Sequence, residues 1–364
     1  MSRRDLKVLL LAGRFEVRGS CAYTLRLVEH LPEMGIAAEV VCSSAEMVPQ
    51  SKRDVLPVDV YRRLDLPFLN RLALHDLVRH YRDDPPSLIH VQTRKVLDVG
   101  NQVAEQLDVP YVLTVHDLLQ PRERMRFSAR RGRRIIAVSD AVKADLVQRA
   151  GVPDELVQVI PSGVKVDPLF RQPERGPDHV PVVGTAGPLE PIKGHTVFLQ
   201  AAQEVLSQGI DAEFLIAGSG PEEENLRRFA RELGIADHVT FVPYVREYTE
   251  VLEAMDIFCL PSLQQGLGTV MLEAMALGKP VVASGVGGVY SVVHDGETGL
   301  LSPRRDWAAL AERIMALLSD PELAGRIGEN ARRLVAKQFS VERMVAATAR
   351  LYREVCASVP VAAP

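Results

Sequence analysis

The residues best placed by type and spacing to do chemistry lie at 261–275, PSLQQGLGTVMLEAM. An apolar run from Asp256 to Leu260 ends at Pro261, a loop with Gly266 and Gly268 follows, and a helix is predicted from about Thr269. Glycine lets the backbone approach a ligand, and the first N–H groups of a helix have no intrahelical partner. Gly266, Leu267, Gly268 and Thr269 therefore make an anion site suited to phosphate. Glu273 lies one turn inside the same helix, on the face turned to the cleft. Taken alone, this stretch also fits an ordinary strand–turn–helix crossover.

A second stretch, GTAGPLEPIKG at 184–194, ends a strand at Gly184 and Gly187 and opens a helix at Lys193-Gly194. A lysine there can reach the same phosphates as a point charge, or can be a solvated first-turn side chain. In the third, GSGPEEE at 218–224, Gly218 and Gly220 follow a strand and Pro221 suits the first position of a helix. Glu222 to Glu224 favour the positive end of the helix dipole but repel phosphate. This loop is read as structural, or as lying near a sugar or base. Its Gly-x-Gly lacks the third glycine of a dinucleotide fingerprint.

These loops need strands and helices to hold them. Short apolar runs at 6–12, 37–43, 88–92, 111–115, 134–138 and 157–160 are predicted strands, with helical patterns at 20–34, 95–107 and 140–150 between them. Continuous apolar strands between amphipathic helices mean parallel sheet covered on both faces. The alternation pauses at 161–181, with five prolines and two glycines, and restarts with strands at 182–186, 213–217, 238–242, 256–260 and 280–283. Helices are predicted near 194–208, 221–234, 247–254, 269–277 and 306–318, then a helical tail over 320–357 and a frayed end, VPVAAP. The segments 44–86 and 118–134 read as loops. The fold class is α/β, with two doubly wound domains and ligands expected at the carboxyl ends of the strands.

Composition bounds the function. The chain has 364 residues, 47% hydrophobic and 25% charged, with a formal net charge of −4. That excludes wholesale disorder and leaves no global basic footprint for nucleic acid. The four cysteines (Cys21, Cys42, Cys259, Cys356) are dispersed and form no Cys-x-x-Cys, so neither a zinc site nor a disulfide framework is indicated. Arg3, Arg4 and Lys7 precede a run, Val8–Ala12, too short for a signal-peptide core. With no run of about 20 apolar residues for a membrane span, a cytoplasmic protein is expected. Residues 121–134, PRERMRFSARRGRR, carry seven arginines and one glutamate. They are either a solvated face or an attraction for an anionic acceptor or the inner face of the cell membrane, touched peripherally.

The motifs, in this order, resemble the retaining glycosyltransferases of family 4 (group 1). The likeness runs from Gly19-Ser20 through VHD (115–117), AVSDAVKADL (137–146), VIPSGV (159–164), GPLEPIKG (187–194), IAGSGP (216–221), FVPYV (241–245), FCLPS (258–262) and GLGTVMLEAMALGKPVVAS (266–284) to HDGETGLL (294–301). It implies the GT-B fold: two Rossmann-like domains facing each other across a cleft, with the C-terminal helix returning to the N-terminal domain. The expected parts are an acceptor-side domain at 1–165, a linker at 166–181, a nucleotide-sugar domain at 182–340 and a C-terminal helix and tail at 341–364.

The resemblance also assigns residues. Gly19 belongs to a loop at the donor phosphate or the acceptor, with Arg18 where a second glycine is usual. His116 sits at the transferred sugar, or else is a satisfied histidine at a strand end. Lys193 is one of two cations on the diphosphate; Pro188 stands where the other, an arginine, belongs. Of two glutamates spaced in the family pattern, the second is Glu273, at the ribose, and the first is replaced by Gln265. Gly187, Gly220 and Val245 line the donor, Val245 near the base.

The implied activity is retaining transfer from a UDP- or GDP-linked sugar to a glycan or lipid-linked acceptor, in polysaccharide or cell-envelope glycan synthesis. No Asp-x-Asp occurs in the chain, so no metal and no cofactor are expected beyond the donor itself. Pro188 and Gln265 also admit a nucleotide-sugar binding protein with impaired catalysis. An NAD-linked enzyme would need Gly-x-Gly-x-x-Gly after a first strand, which neither half has.

Overall fold

The computed structural model describes residues 6–358, except 16–18, 47, 49, 65, 67–69, 171–174, 177 and 244–248. The chain divides into two compact units, Met1–Gly163 with Val341–Pro364, and Val164–Ser340.

The first unit runs β1 (Leu6–Leu11), α1 (Gly19–His30), β2 (Ile36–Cys42), α2 (Gln50–Arg53), β3 (Val58–Val60), α3 (Asn70–Tyr81), β4 (Leu88–Val91), α4 (Leu97–Leu107), β5 (Tyr111–Val115), β6 (Gly132–Ala137), α5 (Asp140–Ala150) and β7 (Val157–Val159). Its strands form one parallel sheet in the order β3-β2-β1-β4-β5-β6-β7. The inner strands β4 and β5 are buried along their whole length, as helices on both faces demand. Local chemistry sets the helix ends. The Ser139 hydroxyl accepts the Val142 N–H at 3.2 Å to start α5, and Gly151, at φ 66°, stops it.

The second unit runs β8 (Val182–Ala186), α6 (His195–Ser207), β9 (Glu213–Ala217), α7 (Glu223–Glu232), β10 (Val239–Val242), α8 (Thr249–Ala254), β11 (Ile257–Leu260), α9 (Thr269–Ala276), β12 (Val281–Ser284), β13 (Leu300–Ser302), α10 (Trp307–Ser319) and α11 (Pro321–Gln338). The strand order is β10-β9-β8-β11-β12-β13, again all parallel. Both sheets thus have the doubly wound order, with direction reversing between β1 and β4 and between β8 and β11. Ligands bind doubly wound sheets at that reversal, outside the carboxyl ends of the strands.

The last helix, α12 (Val341–Ala357), belongs to the first unit. Val341, Met344, Val345, Ala349, Tyr352 and Val355 recur at helical spacing and join the core of β1, β2 and α1. The Tyr352 hydroxyl meets His90 Nδ1 at 2.5 Å, and His90 Nε2 meets the Thr114 hydroxyl at 2.6 Å. This buried chain ties α12 to β4 and β5.

Four details differ from the expectations. The segment 44–86 is not one loop: it holds α2, β3 and α3. The helical tail over 320–357 is two helices that break at Phe339-Ser340, where the Val164 N–H takes the Phe339 carbonyl at 2.8 Å. A short strand, β13, closes the edge of the second sheet. The stretch 166–181, expected as a linker, is anchored on the second unit. There Arg175 Nε donates to Asp256 Oδ1 at 2.9 Å, and His179 Nε2 and the Val182 N–H donate to Asp256 Oδ2 at 2.7 and 2.8 Å. Arg18, Val245 and the tail VPVAAP lie outside the described residues.

Candidate functional site

In the second unit the loops after β8 and β11 meet at the reversal of strand order. The Leu263 N–H donates to the Ile192 carbonyl at 2.8 Å. Gly194, at φ 70°, packs on the Pro261 carbonyl, where a Cβ would overlap. The loop after β9 joins them: Gly218 sits against the Gly187 carbonyl and Gly220 against the backbone of Leu189, each too close for a side chain. Hydrogen bonds from the Leu189 N–H to the Ser219 carbonyl (2.9 Å) and from the Glu222 N–H to the Leu189 carbonyl (3.1 Å) lock the pair. Close backbone packing accounts for Gly218 and Gly220.

The fit of the two main loops brings Lys193 to Gln265. Lys193 Nζ donates to Gln265 Oε1 at 3.1 Å, and the Ser262 hydroxyl donates to the same oxygen at 3.3 Å. The Gln265 backbone carbonyl accepts the Gly288 N–H at 3.0 Å, from the turn after β12. Gly266 and Leu267 are buried, and Gly268, at φ 99°, forms the N-cap of α9. The first-turn amides at Thr269 and after it have no intrahelical acceptor. Glu273, half-buried, follows one turn later on α9. Lys193, Gln265, Gly266, Leu267, Gly268, Thr269 and Glu273 thus share one neighbourhood, with Gly187 at the start of the adjoining loop.

His195, the first residue of α6, is 3% exposed. Its Nε2–H donates to the Pro188 carbonyl at 3.3 Å, while Nδ1 has no partner among the described residues. Burial pulls its pKa down to about 4, against the Pro188 carbonyl and helped by Lys193, so the ring is neutral at pH 7.

In the first unit His116 follows β5. Its Nε2–H donates to the Gln92 carbonyl at 3.1 Å, and Tyr23 meets the ring edge-on at 5.0 Å. Desolvation lowers its pKa to about 4; Asp117 and the Gln92 carbonyl oppose the shift and Arg94 adds to it. The Thr24 hydroxyl of α1 donates to Gln92 Oε1 at 3.0 Å, so Gln92 ties the Gly19 end of α1 to His116. The sequence signal for Gln92 was a polar residue directly after the apolar strand β4. Ser262 and Gly288 left none, because they act through one hydroxyl and one backbone amide.

The arginine-rich run is partly spent internally. Arg131 pairs with Asp108, Arg94 with Glu123 at 3.0 Å, and the Phe127 ring packs edge-on to Tyr111 at 5.2 Å. Arg122, Arg124, Arg126 and Arg130 stay exposed, Arg130 with Glu105 at 3.9 Å. Among the described residues no helix is long and apolar enough to cross a membrane.

Comparison with known proteins places this geometry in context. Residues 167–334 match the family model for glycosyl transferases group 1, and residues 17–168 match that for glycosyltransferase family 4. The D-inositol 3-phosphate glycosyltransferase of Paenarthrobacter aurescens is 31% identical over 70% of this chain and 69% of its own length. The alpha-D-kanosaminyltransferase of Streptomyces kanamyceticus is 30% identical over 63% of this chain, which spans 62% of that relative. Among solved structures, Anabaena Alr3699/HepE in complex with UDP and glucose superposes with a TM-score of 0.81, at 23% identity, over 96% of this chain and all of that one.

Proposed function

Because this chain belongs to the group 1 glycosyltransferases and has their GT-B fold, we propose that it transfers a sugar, with retention, from a nucleotide diphosphate sugar to a glycan or lipid-linked acceptor. One observation carries the reading: the loops after β8 and β11 meet at the reversal of strand order and set Lys193 against Gln265, three residues before the N-cap of α9. A cation and a row of aligned amides suit a leaving diphosphate, and such preorganised electrostatics is usually the largest catalytic contribution. Glu273 would take the ribose hydroxyls and Gln265 the sugar. The UDP of the Anabaena protein favours a uridine donor, with GDP the other candidate.

We take the reaction to need no divalent ion, since Lys193 and α9 supply the charge. An anionic acceptor, including a phosphorylated lipid at the inner face of the cell membrane, suits Arg122, Arg124, Arg126 and Arg130. The binder without turnover is disfavoured by one charge argument. Relative to the family pattern, Pro188 removes a cation and Gln265 an anion, so the charge at these positions and Lys193 and Glu273 sums to the same value. The deciding measurement is a thermal-shift panel of UDP, GDP, ADP and their sugars, followed by detection of released nucleoside diphosphate. A ligand at 100 times its Kd stabilises by about 2.7 kcal/mol. Absence of any shift overturns the proposal, and binding without release under every acceptor leaves the binder.

A further inference from the structure

The side-chain amide of Gln265 has a fixed polarity. An ammonium group has only donors, so the 3.1 Å contact from Lys193 Nζ must fall on the amide oxygen. The Ser262 hydroxyl donates to that oxygen as well, at 3.3 Å. A carbonyl oxygen has two lone pairs, and both are now used. The Gly288 N–H holds the backbone of the same residue. What remains of Gln265 is its Nε2–H2 group, which has no acceptor among the described residues and is not buried.

A glutamate here would do the opposite, since a carboxylate only accepts and reads sugar hydroxyls by accepting their O–H hydrogen bonds. Gln265 can only donate. Two cations lie close to it, with Glu273 the one anion named in the same neighbourhood: Lys193 touches its oxygen, and Arg304 donates to the Leu263 carbonyl at 3.4 Å, two residues before it. We propose that Gln265 is a specificity-determining residue that reads an acceptor group on the transferred sugar, and that the matching donor is a nucleotide diphosphate hexuronate, whose carboxylate receives the amide N–H pair. This deepens the functional proposal above and rests on its placing the donor at this loop.

A hydrogen bond to a carboxylate is roughly twice as strong as one between neutral groups, and the nearby cations add to it. The test measures, by calorimetry, the affinities of UDP, UDP-glucose and UDP-glucuronate, and of GDP, GDP-mannose and GDP-mannuronate, for the wild-type chain and Gln265→Glu. Each sugar is scored against the bare nucleotide in the same protein. The wild type is expected to favour the uronate over the neutral hexose about tenfold, a difference of about 1.4 kcal/mol. Gln265→Glu, nearly the same shape, is expected to reverse that preference. Nucleotide binding with equal affinity for uronate and hexose, or a preference that Gln265→Glu leaves in place, overturns this inference alone. Failure of both UDP and GDP to bind the wild type overturns the placement of the donor, and the inference with it.

Discussion

Gly194 stands so close to the Pro261 carbonyl that a Cβ would overlap it, and its φ of 70° is left-handed. That contact sets Lys193, one residue earlier, beside the loop after β11. Gly296 has a similar φ, 77°, but open space around it. Gly296→Ala is therefore expected to cost only the left-handed backbone, about 1–2 kcal/mol. Gly194→Ala carries the steric overlap in addition, and is expected to lose clearly more stability and to weaken UDP or GDP binding as well. Urea unfolding of the two variants, with calorimetric titration of the nucleotides, checks both expectations. Equal losses would mean that the loop after β11 can shift aside.

Lys193→Met removes the ammonium and keeps most of the side-chain volume. Loss of one preorganised donor at a developing oxyanion commonly lowers turnover by about 10²–10³-fold. A fall of that size is expected in the rate of nucleoside diphosphate release, and EDTA is expected to leave the wild-type rate unchanged. A large EDTA effect would move the charge handling from Lys193 to a metal ion.

Three histidines, His90 and His195 buried and His116 half-buried, give the fold a pH dependence. Burial lowers the pKa of His90 to about 3 and those of His116 and His195 to about 4. The unfolded chain takes up these protons near pH 6.5, so between pH 6.5 and 4 it binds more protons than the fold. Stability then rises with pH across that window, is lost on acidification through it, and is flat with respect to these groups above it. Each histidine contributes a slope of at most about 1.4 kcal/mol per pH unit. Denaturant melts at pH 4.5, 5.5, 6.5 and 7.5 test this, and His195→Gln and His116→Gln should each flatten the curve.

The exposed Arg122, Arg124, Arg126 and Arg130 make a salt-sensitive attraction for an anionic surface. Each basic residue near such a surface is worth about 1 kcal/mol. Replacing Arg122, Arg124 and Arg126 by alanine is expected to lower binding to phosphatidylglycerol vesicles about 10²-fold, read by sedimentation. Phe127 packs on Tyr111, so Phe127→Ala should affect stability more than vesicle binding. Wild-type protein that ignores the vesicles at low salt would leave these arginines to a soluble acceptor.

The same physics decides what could be read from the residues. Buried parallel strands such as Ile257–Leu260 are apolar without interruption, so both sheets were legible. β3 was missed because it is a three-residue edge strand, with Val60 47% exposed, and carries no such run. The break between α11 and α12 was hidden because no glycine or proline marks it. At the site, Lys193 and the loop 266–269 announced themselves through glycine and charge. The coupling of Gln265 to Lys193 and Ser262 did not, since the three meet only when two loops pack. From sequence the amide could have been donor or acceptor; its surroundings leave it a donor.

Pro188 and Gln265 supply the last prediction. If they offset each other in charge, restoring one alone unbalances the site. Pro188→Arg adds a cation, although it also perturbs the loop whose carbonyl at 188 holds His195 at 3.3 Å. Gln265→Glu adds an anion that forms an ion pair with Lys193 and draws that charge away from the diphosphate. Each single variant should therefore lower turnover of a given donor. The double variant should recover more than the sum of the two losses allows, by about 0.5–3 kcal/mol of coupling, the range for residues that share partners. A double-mutant cycle on kcat/KM measures this directly. Additive losses would show that the two positions act independently, and the balance of charge would then not explain why both departures occur in one chain.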